Sequence, residues 1–451
     1  MIKNYTASAD NTIVNTFKNN LETRATGSNS GMADILEVYS IYGRQTTSSQ
    51  ELSRVLIKFP IEQIKNDRTN SKIPDSGSVN FYLNLYNAET SKSVPRNMRL
   101  VIQPLFTDWQ EGIGLDLENY TDLTHGNEGS NWMSASATTS WNSVSGGGDF
   151  LSSSGDYRYE QLFENGLEDL SVDITALVER WIRGPGDSGI SNYGMGIKLT
   201  SSQEASGSSI TMLATNDQPT QNIPEGAKKS YYTKRFFARG TQYYFKKPII
   251  QAKWDSRRRD HRGQFYISSS LAKTENINDI YFYNYVRGRL RSIPSGDSLI
   301  VAIYSSSAGE PTGSTLRIKN INNNQAYAVS ANEIETGVYQ ARLQVTSSLT
   351  TLHDVWTLGS TQVYTGSIRA VSMETATHPR EPTYYINITN LQNSYMPDQT
   401  ARFNLYVREK NWNPTIYTKA IASAPALTIP SASFRVIRTI DNYEAIAHDT
   451  G

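Results

Sequence analysis

Hydrophobic and polar positions alternate most regularly at residues 79–86, where Val79, Phe81, Leu83 and Leu85 interleave with Asn80, Tyr82, Asn84 and Tyr86. A period of two sends successive side chains to opposite faces of a pleated strand, so the stretch predicts a strand with one buried face. The same pattern predicts strands at 34–41 and 53–59, with Val55, Ile57 and Phe59 facing one way and Arg54 and Lys58 the other. Pro60 ends the second of these, having no N–H for a ladder. Residues 98–106 continue the series. The period then changes: Ile174, Leu177, Val178, Trp181 and Ile182 fall at i, i+3, i+4, i+7 and i+8, one apolar stripe on a short helix. Asp173 stands where an N-cap is expected and Gly184 where the chain must leave the helix. So short a helix does not hold itself together in water, so its stripe is expected to dock on a sheet. Beyond it, Tyr193, Met195, Ile197 and Leu199 alternate with Gly194, Gly196 and Lys198, the pattern of a strand with one buried face.

Residues 255–263 break the pattern. Arg257, Arg258, Arg259 and Arg262 crowd together with Asp255 and Asp260 and carry no apolar period, which reads as a charged linker over 256–263. Strand patterns resume at 280–286, 298–304, 337–345, 354–357 and 366–371, a spacing that predicts an immunoglobulin-like module over 264–377. Pro379 and Pro382 mark another boundary, followed by strand patterns at 384–388, 401–407 and 432–438. The expected fold is mainly β: a large N-terminal antiparallel β-sandwich with one docked short helix over 1–255, then two smaller modules. The last of these, 383–451, has too few strands to cover both faces of a sandwich and is expected to be incomplete or finished by a neighbouring chain.

Composition narrows the function. Lys plus Arg equal Asp plus Glu at 43 each, so no overall field steers the chain to nucleic acid or to an anionic membrane. Tyrosine is abundant at 27, as half-buried antiparallel sheets favour, and cysteine is absent, which excludes disulfides and thiolate metal sites. No apolar run approaches the ~18 residues of a membrane helix, and residues 1–6 lack the apolar core of a signal peptide, so a soluble protein without a cleaved leader is expected.

One ordered set of segments carries a resemblance: Ala9-Asp10, Leu36-Glu-Val38, Arg54-Val-Leu-Ile-Lys-Phe-Pro-Ile61, residues 79–86, Asp108-Trp-Gln-Glu111, Trp132, Trp141, Val172-Asp-Ile-Thr-Ala-Leu-Val-Glu-Arg-Trp181 and Asn192-Tyr-Gly194. Lys234-Arg-Phe-Phe-Ala-Arg239 and Lys247-Pro-Ile-Ile-Gln-Ala-Lys-Trp254 close it. The set resembles the disaggregatase-related (DNRLRE) β-sandwich family, and its fuller pattern is similar to structural proteins of tailed, T4-like marine bacteriophage virions. The resemblance implies a non-catalytic sandwich. The expected function is that of a virion protein, assembled in the host cytoplasm, contacting other virion proteins and copies of itself at a neck, tail or capsid surface. The alternative is a carbohydrate-binding module that attaches a particle or enzyme to a host-surface glycan. The segment 112–149 is longer than the short family form.

Candidate chemistry is sparse. The 5 histidines are scattered singly with no metal-ligand spacing, and there is no nucleophile elbow and no phosphate-binding Gly-Lys-Ser/Thr loop; no catalytic residue and no cofactor are expected. Glu111, Asp116, Glu118, Asp122 and Glu128 could hold a structural Ca²⁺, act as a glycosidase pair, or be solvated surface charge, the reading preferred for want of regular spacing. Gly146, Gly147 and Gly148 read as a flexible loop. Trp109, Tyr120, Trp132 and Trp141 read as a cover for the open side of the sandwich, as an intersubunit contact, or as a platform that stacks on sugar rings. Arg257, Arg258 and Arg259 read as ion-paired in a contact between domains or subunits rather than as phosphate ligands.

Overall fold

The structure, a computed structural model, describes residues 1–15, 29–42, 50–91, 94–115, 129–143, 146–151, 157–201, 203–204, 231–267, 277–294, 298–305, 311, 313–320, 325–346, 351–372, 384–410, 412, 426–429 and 432–449. It is mainly β and falls into two compact units, Met1–Ser256 with Arg438–Tyr443, and Arg257–Ile437 with Glu444–Gly451.

The first unit contains β1 (Ile2–Thr6), β2 (Ala9–Val14), β3 (Ile35–Tyr42), β4 (Gln50–Lys58), α1 (Ile61–Thr69), β5 (Val79–Leu85), β6 (Met98–Pro104), β7 (Tyr159–Phe163), β8 (Leu170–Asp173), α2 (Thr175–Arg183), β9 (Met195–Leu199), β10 (Tyr231–Phe237) and β11 (Ile249–Trp254). Two antiparallel sheets result, one ordered β1-β11-β5-β8 and one ordered β10-β3-β4-β9-β6-β7 with β2 also paired to β4. Their facing side chains make one core, with Phe81, Leu83, Leu170 and Ile250 from the smaller sheet and Val38, Val55, Ile57, Leu100, Ile197 and Phe236 from the larger. In β5 the period of two becomes burial directly: Val79, Phe81, Leu83 and Leu85 are buried while Asn80 is exposed.

Helix α2 docks into that core. Ile174, Leu177, Val178 and Trp181 are buried in it and Ile182 packs half-buried against it; each large apolar group buried is worth about 1.5–3 kcal/mol. The start of the helix differs from expectation. Asp173 belongs to β8, paired with Tyr82, and Ile174 holds the N-cap position. The Asp173 carboxylate nevertheless accepts from the Thr175 N–H at 2.9 Å and the Thr175 hydroxyl at 2.6 Å, and that hydroxyl accepts from the Phe81 N–H at 2.8 Å. The first turn is thus tied to β5 by side chains. Gly184 ends the helix at φ 72°, a left-handed conformation that glycine adopts without strain. Helix α1, which the pattern did not predict, lies against α2, and Arg68 donates to both oxygens of Glu179 at 2.8 and 2.6 Å.

The second unit is built on two further sheets. One orders Phe265–Ile267, Thr361–Ser372, Thr351–Leu358, Leu299–Ser305 and Val329–Ser330; the other joins Asn278–Tyr283, Val338–Val345, Ile318–Asn320 and Gln325–Ala326, with Asn332–Glu335 added to Val338–Val345. Among the described residues the strands of these two sheets pair antiparallel except in one place: Phe265–Ile267 runs parallel to Thr361–Ser372, with Phe265 opposite Ala370. Phe265, Ile280, Val301, Ile303, Leu343, Leu352, Trp356 and Ile368 form the shared core. Past residue 383, among the described residues, Tyr384–Ile388 with Leu405–Glu409 and Phe434–Arg438 with Tyr443–Asp449 form two-stranded sheets.

Candidate functional site

Of the readings open for these aromatics, a sugar-stacking platform is not what the described tryptophans form; they are buried as a cover. Trp109, Trp132 and Trp141 are each under a tenth exposed and, with Ile13, Leu52, Leu56, Leu105 and Ala135, form a second core on the outer face of the larger sheet. Strand β4 is therefore covered on both faces, where the sequence suggested one. The indole N–H groups find backbone acceptors, Trp109 to Tyr193 O at 2.9 Å and Trp141 to Asn131 O at 2.8 Å. Buried indoles whose polar edges are satisfied act as structure and offer no face to a sugar. Tyr120 lies outside the described residues.

Arg54, on the same face of β4, is drawn into this second core. Its guanidinium lies 5.0 Å from the Trp132 ring centroid and 5.4 Å from Phe150, pairs with Glu204 at 2.8 Å and donates to Gly147 O at 2.7 Å. The cation is tolerated because ring faces, a carboxylate and a carbonyl replace its water. The glycine run is buried and close-packed rather than a flexible loop. At Gly147, φ is 79° and an added Cβ would stand 2.6 Å from Arg54 Nη1 and 2.9 Å from Trp132 Cζ2. Phe150 in turn lies over Gly196 of β9, with the Lys198 ammonium 4.0 Å above its ring. Burial, with Arg54 nearby, pushes the Lys198 pKa down to about 8.

A polar knot stands beside these aromatics. Glu111 accepts from Arg239 at both oxygens, at 2.9 and 2.8 Å, and from the Asp10 N–H at 2.9 Å, while Asp10 accepts from the Arg239 N–H at 2.5 Å. Glu111 is thus spent on an ion pair and is not solvated surface charge; Asp116, Glu118, Asp122 and Glu128 lie outside the described residues. Among the described residues no group of three or more acidic or histidine side chains could hold a metal ion. Asp10 is 1% exposed, and burial pushes its carboxyl up to about 7, against the backbone hydrogen bond from Arg239, while the Glu111 charge adds to the rise. A raised carboxyl favours the folded state most when protonated. The stabilisation is complete below the ordinary carboxylate range near pH 4 and is lost as pH rises through about 7. Asp10→Asn mimics the protonated acid and is therefore expected to match the parent protein near pH 4 and to gain stability relative to it towards pH 8. Urea midpoints for the two proteins across that range check this, and parallel profiles would exclude it.

On the other side of the same unit, Lys234 is fully buried between the Phe163 and Phe236 rings, at 4.9 and 5.0 Å. Its three protons go to Asn87 Oδ1, Gly166 O and Glu168 O at 2.6, 2.9 and 2.7 Å, which fastens the turn after β7 to β10. Periodicity gives no sign of it, since a lysine among alternating aromatics reads as the outward residue of a strand.

The arginine cluster is anchored within the second unit rather than being a free linker. Arg257 donates to Tyr384 O at 2.8 Å, Arg259 to Gln264 at 2.6 Å, and Arg258 pairs with Glu335, which Arg435 also reaches at 2.7 Å. Arg262 pairs with Asp260 and, at 2.6 Å, with the fully buried Asp354. Arg258 and Arg262 are thus ion-paired inside one unit, while Arg257 donates to a carbonyl and Arg259 to a side-chain amide.

The hairpins past residue 383 are the reverse of these satisfied sites. Tyr385, Ile386, Leu405, Phe434, Val436 and Ile446 are all between 42% and 65% exposed. A two-stranded sheet has no second layer of its own to bury such residues. Among the described residues no helix is long and apolar enough to cross a membrane. Compared with known proteins, the chain matches no family model, no curated protein and no solved structure.

Proposed function

We propose that this chain is a non-enzymatic structural protein of a tailed-phage virion, making contacts with copies of itself and with other virion proteins at a neck, tail or capsid surface. On this reading the first unit is a disaggregatase-related β-sandwich and residues 264–377 an immunoglobulin-like module. The observation that carries it is the row of half-exposed apolar side chains on the last hairpins, Ile386, Leu405, Phe434 and Val436 among them. Isolated monomers seldom leave so much apolar strand surface to water, and unpaired strand edges beside it can be covered by a neighbour. The buried tryptophan core and the docked α2 suit a scaffold that holds its shape, and the ordered sequence resemblance points to the same class.

The full chain is expected to self-associate in sedimentation velocity runs at micromolar concentration. Ile386→Asp combined with Phe434→Asp, two exposed positions whose replacement costs the fold little, is expected to return it to monomer with its thermal midpoint unchanged. A monomeric parent chain, or a double variant that associates as before, would remove the support for this reading.

A further inference from the structure

A cleft of about 380 Å³ opens in the second unit where the strand Asn278–Tyr283 ends, and is lined also by Leu358, Val363 and Tyr364 from the paired strands Thr351–Leu358 and Thr361–Ser372. Its volume lies within the roughly 300–1,000 Å³ that small-ligand sites occupy. Phe282, Tyr283, Asn284, Tyr285, Val363 and Tyr364 give it its character, and none of its described lining residues is charged.

The aromatic floor is held in place from behind. Phe282 stacks on Trp356 with centroids 5.5 Å apart and an interplanar angle of 27°, and meets Tyr364 edge-on at 6.3 Å. Trp356 is fully buried and its indole N–H donates to Asp354 at 2.5 Å, while the Arg262 guanidinium lies 5.5 Å from the Tyr364 ring. The rings therefore meet an incoming molecule already oriented, and little freedom is lost on binding. At the rim, Tyr285, Val363 and Tyr364 are 39%, 42% and 43% exposed.

The backbone here is already paired. Asn284 N–H donates to Gly337 O at 2.8 Å, and its carbonyl accepts from Arg291 N–H at 3.0 Å. A peptide could not add itself as a strand at this point, so recognition falls to ring faces and side-chain polar groups. Asn284 Nδ2 already donates to Arg291 O at 2.7 Å, so what faces the cleft is aromatic rings interleaved with phenol hydroxyls and an amide oxygen, with no charged side chain in the described lining. This complements a molecule that has a flat C–H face, a rim of hydroxyls and no ionised group.

We propose that this cleft binds a neutral saccharide, one pyranose ring lying against the Tyr285 and Tyr364 side and its hydroxyls meeting the tyrosine hydroxyls and the Asn284 region. The site is separate from the buried tryptophans of the first unit, and the proposal does not rest on the assembly reading. The test applies the full chain to an array of neutral and acidic oligosaccharides and titrates the strongest neutral binder by calorimetry. Tyr285→Ala and Tyr364→Ala are each expected to weaken binding at least tenfold with amide exchange across Thr351–Leu358 unchanged. Tyr327→Ala, which removes an exposed tyrosine elsewhere in the unit, is expected to leave it unaltered. The proposal is overturned if no neutral saccharide binds at millimolar concentration, if only acidic ones bind, if Tyr285→Ala leaves binding intact, or if a proline-rich decapeptide occupies the cleft in their place.

Discussion

Replacing Arg262 by methionine is expected to destabilise the second unit by about 3–5 kcal/mol, the usual cost of removing one partner from a buried ion pair. Asp354 has no exposed surface, and one of its oxygens, Oδ2, receives Arg262 Nε at 2.9 Å, Arg262 Nη2 at 2.6 Å and Trp356 Nε1 at 2.5 Å. Its other oxygen has no hydrogen-bond partner. Methionine keeps the bulk of the side chain but leaves a buried carboxylate with a single donor. The same guanidinium also donates to Tyr281 O at 2.8 Å, so a strand of the opposite sheet loses a tie as well. Adding Asp354→Asn to the variant removes the stranded charge while keeping an acceptor for Trp356, and is expected to restore at least half of the loss. Urea unfolding, with amide exchange at Thr351–Leu358 to identify the unit that opens, measures both. A single variant that unfolds within about 1 kcal/mol of the parent would place the pair among those of little net consequence.

The second large effect is expected at Trp181. Trp181→Ala removes the largest side chain of the α2 stripe from a site where it is 4% exposed, and is expected to cost about 3–5 kcal/mol through lost burial and the cavity left behind. Its indole N–H is buried without a hydrogen-bond partner. A stranded donor of that kind costs about 1–3 kcal/mol, so Trp181→Phe, which loses some volume but also the stranded N–H, is expected to stay within about 1 kcal/mol of the parent. Equal losses for the two variants would overturn this account of the site.

Much of the β architecture was legible because one-face burial writes itself into the chain with a period of two. Val79 to Leu85 and the face of β4 that carries Val55 and Ile57 are the plain cases. The stripe of α2 was legible for the same reason at a period of 3.6. Helix α1 was not, since only Ile61 and Ile64 among its apolar residues are buried, too thin a stripe to register. The displaced start of α2 has a tertiary cause: pairing between Tyr82 and Asp173 keeps Asp173 in a strand.

The outer faces of β4 and β9 misled for a different reason. Arg54, Lys58, Gly196 and Lys198 make them look polar or small despite Leu52 and Leu56, yet a segment with no period of its own lies over them through Trp132 and Phe150. The partners that make this tolerable sit far along the chain, Arg54 from Glu204 by 150 residues and Arg239 from Glu111 by 128. No local pattern links such pairs. The aromatic cleft was likewise hidden, because Phe282 and Tyr364 meet only when their strands are brought together.

The parallel pairing of the second unit's first strand with its late long strand has a mechanical consequence. Phe265, Tyr266 and Ile267 lie opposite Ala370, Val371 and Ser372 and run in the same direction. A force drawing residue 265 towards the chain's beginning and residue 372 towards its end therefore acts along the ladder, in shear, and strains all of its hydrogen bonds at once. An antiparallel closure pulled from the same end would peel them one at a time. Within this pairing the three opposed residue pairs share such a load rather than meeting it in turn.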